Sequence, residues 1–234
     1  MNENNKGSVL TDEEMKNYRE YIAKIKKRRR VRRVFLIILA LLLALAAVVC
    51  TVTLIANSRV APEVKEAGRL EMPDWVDVQL IGMLGTARSG KKLETINNIV
   101  IHYVGNPSTS AKNNRNYFAT PGTNVCSHFL VGLDGEIIQC VPIDEKSAAS
   151  NNRNKDTISI EVCHPDESGQ FNEKSYDSVV QLTAWLCAKL DLDEDDVIRH
   201  YDITGKKCPL YYVDHDDAWQ QIKNDIGSMI PSYK

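Results

Sequence analysis

NIVIHY, residues 98–103, decides the class of this fold. Ile99, Val100 and Ile101 form a short, nearly continuous apolar run of β-branched residues, the pattern of a strand buried on both faces. TISIEVC at Thr157–Cys163 is a second strand of the same type. Between them, Val125–Gly132 and Glu136–Val141 flank Leu133-Asp134-Gly135, a turn signal that predicts an antiparallel hairpin. Ser110–Thr120 reads as a helix. Ser175–Leu190 is the clearest one: Tyr176, Val179, Val180, Thr183, Leu186, Cys187 and Leu190 recur at helical spacing, and Ser175 is the expected cap. Asp214 is expected to cap a final helix with Trp219, Ile222, Ile226 and Met229 on one face. Strands interleaved with helices, one pair of them antiparallel, predict an α/β domain with a mixed central β-sheet flanked by helices.

Upstream the pattern changes. Val34–Ala56 is 23 residues without a charge. At about 1.5 Å per residue such a helix spans roughly 34 Å, enough for a hydrocarbon core of about 30 Å. It exceeds the roughly 7–15 apolar residues of a signal peptide, which makes a cleaved leader the lesser reading. A lipid anchor at Cys50 is disfavoured because Val48 and Val49 precede it. KIKKRRRVRR, Lys24–Arg33, stands directly before the run, and clustered Lys/Arg beside a span stays in the cytoplasm. Thr11-Asp-Glu-Glu can cap a helix through Tyr18 and Ile22. The expected organisation is a basic cytoplasmic tail at 1–33, a transmembrane helix at 34–57, a polar extracellular linker at 58–74 and a globular domain at 75–234. A linker of some 17 residues reaches at most about 60 Å.

Charge divides the same way. Residues 1–33 carry a net +6 and residues 58–234 a net −8. An acidic globular part excludes nucleic acid as the expected partner, because that binding rests on neutralising phosphates. Cys126, Cys140, Cys163, Cys187 and Cys208 follow the span, an odd number for a fully paired extracellular domain. Their pairing, and the oligomeric state, are not legible.

The residues with metal chemistry are His102, His200 and Cys208. His102 ends an apolar strand, where an imidazole needs a partner. His200 and Cys208 are eight residues apart across the turn signal Thr204-Gly205. Two imidazoles and a thiolate suit zinc, with a fourth position left for water. Two satisfied core histidines and a buried or paired thiol are the alternative on these residues alone.

IVIHY at 99–103, SHFLVGLDGEIIQCVP at 127–142, ISIEVCHP at 158–165 and RHYDITGKKCP at 199–209 resemble the zinc-dependent N-acetylmuramoyl-L-alanine amidase family. The family includes phage endolysin amidases, bacterial autolysins and peptidoglycan recognition proteins, and the likeness is greatest to the Gram-positive forms. It runs from Asn98 to Cys208 and on towards residue 230. The resemblance implies one zinc ion held by His102, His200 and Cys208. It implies that Glu161 acts on the attacking water and that Lys206 meets the reacting carbonyl. The implied substrate is peptidoglycan, cut between N-acetylmuramic acid and L-alanine. Where some phage members carry a tyrosine, this chain has Ser127, so Glu161 must carry the proton chemistry. His128 and His164 are weaker site candidates, His215 reads as structural, and Asp191–Asp196 as a solvated loop. Asn113–Tyr117 and Asn151–Asn154 are candidate glycan- or peptide-binding stretches.

The expectation is thus a single-pass membrane amidase, N-terminus cytoplasmic and catalytic domain facing the wall. A non-catalytic wall-binding protein of the same fold is the alternative. A structural membrane protein with paired cysteines is a third reading.

Overall fold

The computed structural model describes residues 11–58 and 60–234, which divide into two units after Ser58. The first unit is one helix, α1 (Asp12–Ser58). Thr11 closes its start: the Thr11 N–H donates to Glu14 Oε2 at 2.8 Å, and the Glu14 N–H reaches Thr11 Oγ1 at 3.4 Å. This is a reciprocal cap. Asp12, Glu13 and Glu14 in the first turn suit the positive end of the helix dipole. The large apolar side chains between Val34 and Val52 are exposed. Length and composition make α1 able to cross a membrane.

The second unit contains α2 (Pro62–Ala67), β1 (Val76–Val78), β2 (Asn98–Tyr103), α3 (Ala111–Phe118), β3 (Phe129–Val131), β4 (Ile137–Gln139), β5 (Thr157–Val162), α4 (Glu173–Leu190), β6 (Val197–Arg199), α5 (His200–Thr204), α6 (Leu210–Asp214) and α7 (Asp216–Met229). The strands form one sheet in the order β1-β4-β3-β5-β2-β6. Only β3 and β4 run antiparallel, as the Leu133-Asp134-Gly135 turn predicts. Gly135 makes that turn possible at φ 85°, a conformation costly for other residues. The sheet is therefore mixed, with helices packed on it, in agreement with the expected class.

Alternation along the strands sorts the two faces. Ile99, Ile101, Ile158, Ile160, Phe129 and Val131 join the larger core with α4 and α7. Leu130 and Ile138 face the other way, into a smaller core with Ala111 and Phe118 of α3. Glu161 pairs in register with His102 on one side and Leu130 on the other. Both polar residues therefore stand on the second face, at the carboxyl ends of parallel strands.

Several expectations need correction. The 58–74 linker is largely folded: α2 buries Val64 and Ala67 in the larger core, so the ordered unit begins well before residue 75. Asn172, not Ser175, caps α4, its side chain accepting the Ser175 N–H at 2.9 Å. Ser175 Oγ instead donates to the Gly132 carbonyl at 2.8 Å and ties α4 to the hairpin. Asp214 does not cap the final helix; it is the last residue of α6 and pairs with Lys207 at 2.6 Å, and the chain turns at His215 before α7. Among the described residues the six cysteines are free, and all except Cys50 are buried.

Candidate metal centre

Three segments bring the donor atoms together. β2 delivers His102 at its carboxyl end, and His200 opens α5 directly after β6. The Asp202 carboxylate accepts the Arg199 N–H at 2.8 Å and fixes the start of α5. Gly205 ends α5 in the left-handed region, φ 75°, and turns the chain back. The Tyr201 N–H then donates to the Cys208 carbonyl at 3.0 Å, which seats the cysteine beside the histidines.

One donor atom from each of His102, His200 and Cys208 lies within 4.8 Å of the others, and all three residues are buried. His102 Nδ1 is 3.8 Å from Cys208 Sγ. His102 Nε2 lies 3.3 Å from Ser150 Oγ, and His200 Nε2 lies 2.9 Å from Asn151 Oδ1. Burial, with His200 and Lys206 nearby, holds His102 well below the ordinary histidine range. Burial, then Lys206, lowers His200. Both imidazoles therefore favour the neutral form that can donate a lone pair. Burial, and then Glu161, pushes the Cys208 thiol up to about 12. A buried thiol beside two neutral imidazoles is a poor acid alone, but a divalent cation would favour its thiolate. The donor set and its spacing thus fit zinc with an open position.

Glu161 and Lys206 border the same cleft, whose volume is about 990 Å³. Glu161 Oε2 is buried without a hydrogen-bond partner. Burial pushes this carboxyl up to about 8 against the opposing pull of Lys206. An orphaned buried oxygen is costly unless something outside the protein occupies its lone pairs. Lys207, the neighbour, points to Asp214 and leaves Lys206 as the cation of the cleft. Asn113, Asn114, Tyr117, Asn151 and Asn154 line the cleft as well.

The remaining histidines and Ser127 lie outside the three-donor cluster. His128 Nδ1 accepts the Ser159 N–H at 2.9 Å and its Nε2–H donates to the Glu145 carbonyl at 2.8 Å, in full burial. Burial lowers its pKa to about 4. Ser127 Oγ donates to the Phe129 carbonyl at 2.7 Å. His164 Nδ1–H donates to the Asp166 carbonyl at 2.7 Å, and His215 stacks on Tyr211 at 4.1 Å. Ser150 carries no signal in the sequence, because its contact with His102 joins residues 48 positions apart.

Known proteins share the family pattern and the fold of this chain. Residues 92–210 match the model of a family described as N-acetylmuramoyl-L-alanine amidase. The N-acetylmuramoyl-L-alanine amidase BlyA of Bacillus subtilis (strain 168) is 30% identical over 160 residues, 59% of this chain and 43% of BlyA. The N-acetylmuramoyl-L-alanine amidase CwlL of Bacillus licheniformis is 26% identical over 162 residues, 61% of this chain and 44% of CwlL. The match spans less than half the length of either relative. Among solved structures, the catalytic domain of XlyA superposes with a TM-score of 0.56 at 27% identity, covering 65% of this chain and 99% of that domain. A mutant endolysin from Bacillus subtilis gives 0.57 at 26% identity, covering 65% and 98%.

Proposed function

Because the chain belongs to the N-acetylmuramoyl-L-alanine amidase family, we propose that it hydrolyses the amide between N-acetylmuramic acid and the L-alanine of the peptidoglycan stem. Zinc is the cofactor in this reading, one ion held by His102, His200 and Cys208. The observation that carries it is the buried cluster of three donors within 4.8 Å, with the unpartnered Glu161 oxygen at the same cleft.

When bound, the ion supplies Lewis acidity to water and to the substrate carbonyl. Glu161 takes the proton of the attacking water and passes it to the departing amine of L-alanine. Lys206 offers its ammonium to the charge that builds on the carbonyl oxygen, a contribution of about 2.7–4 kcal/mol for one such donor. The neutral amide side chains of the cleft suit the hydroxyls and peptide groups of glycan and stem.

α1 provides the location in this reading. Its exposed apolar stretch lies in the cell membrane, Lys24–Arg33 remain on the cytoplasmic side, and residues 59–234 face the wall. The test uses the full chain in detergent on purified wall. Zinc-loaded protein is expected to release stem peptides with new L-alanine amino termini, and chelation is expected to stop the release. Wall that is bound but left uncut by the zinc-loaded protein would instead establish the sensing alternative.

A further inference from the structure

Two consecutive side chains, Ser150 and Asn151, approach two different histidines, at 3.3 Å from His102 Nε2 and 2.9 Å from His200 Nε2. The surrounding segment is built to hold them. Asn154 Oδ1 accepts the N–H groups of Ala149 at 3.0 Å and Ser150 at 2.6 Å. Arg153 ties the next turn down, donating to Asp156 at 2.9 Å and to Asn98 Oδ1 at 2.5 Å. Ser150 is fully buried. Asn151 stands in the left-handed region, φ 53°, which asparagine tolerates better than most residues.

An amide oxygen can only accept, so His200 carries its proton on Nε2. The Ser150 hydroxyl is placed to do the same for His102, whose Nδ1 faces Cys208. Each ring then keeps its lone pair on Nδ1. A metal-binding imidazole needs its other nitrogen anchored in this way, because the anchor fixes both tautomer and ring direction.

We propose that Ser150 and Asn151 are positioning residues that orient His102 and His200 for a metal ion. This gives Asn151 a task other than glycan binding. The inference rests on the zinc reading given above, and the experiment separates the two.

Full-length protein in detergent is stripped of metal, then titrated with zinc against a chelating dye and with cobalt for its visible spectrum. Asn151→Gly keeps the left-handed backbone and removes the acceptor. Asn151→Asp keeps an acceptor oxygen. Asn151→Gly is expected to bind zinc about 10–100-fold more weakly, with a changed cobalt spectrum. Asn151→Asp is expected to restore both, and metal-free unfolding of Asn151→Gly should match that of wild type. Wild-type zinc affinity in Asn151→Gly overturns the inference alone. So does equal weakening in both variants, or weakening matched by a loss of metal-free stability. A wild-type chain that binds no zinc overturns the metal centre itself, and this inference with it.

Discussion

At the scale of the residue, Glu161 joins chemistry to stability. Its carboxyl, raised from 4.5 to about 8 by burial, holds a proton more tightly in the folded chain than in the unfolded one. Its contribution is therefore fully present below pH 4.5 and is lost as pH rises through about 8. Metal-free protein should lose stability to urea between pH 6.5 and 8.5, and Glu161→Gln should remove that loss; equal slopes in the two proteins would refute the burial argument. In the zinc-loaded protein the same variant should cut wall about a hundred- to ten-thousand-fold more slowly, since it keeps the shape and loses the base. The sequence offered His102, His200 and Cys208 as candidates by residue type, and the resemblance of four segments to the amidase family joined them into one set; the three donors do lie together in the structure. Ser150 and Asn151 were not legible as partners of those histidines. A contact between side chains about 50 positions apart leaves no periodicity to read.

At the scale of the element, legibility followed length and the number of buried positions. The 18-residue α4 buries a full face, Val179, Val180, Leu182, Thr183, Leu186 and Cys187 among it, so its period stood out. Its cap was misread because Asn172 and Ser175 are both competent caps, and the Gly132 carbonyl claimed the serine. The six-residue α2 buries only Val64 and Ala67, too few for a period to emerge from a polar stretch. β1, buried at Val76 alone, escaped for the same reason. Val64→Ala tests the correction to the linker. Two buried carbons are removed, at about 0.8 kcal/mol each before any cavity cost. Loss of about 1.5 kcal/mol or more is expected in urea unfolding, whereas the exposed Lys65→Ala should stay within about 0.5 kcal/mol. Equal, small effects at both positions would restore the linker.

At the scale of the whole molecule, the division after Ser58 separates a helix long and apolar enough to cross a membrane from a unit with its own core. The charge asymmetry of the sequence already marked that division, whereas the apolar pattern placed the start of the folded unit too late, at residue 75. On wall-stripped cells, an antibody should bind a tag at the C-terminus without permeabilisation and a tag at the N-terminus only after it. The reverse pattern would invert the proposed topology. The five cysteines that follow α1 add a consequence. All five are interior and unbridged, and burial pushes those at 126, 140, 163 and 187 up to about 11–12. Thiols so reluctant to ionise are slow to exchange or oxidise. In the proposed topology the domain therefore holds its shape outside the cell without disulfides, and a strongly reducing medium should leave that shape untouched.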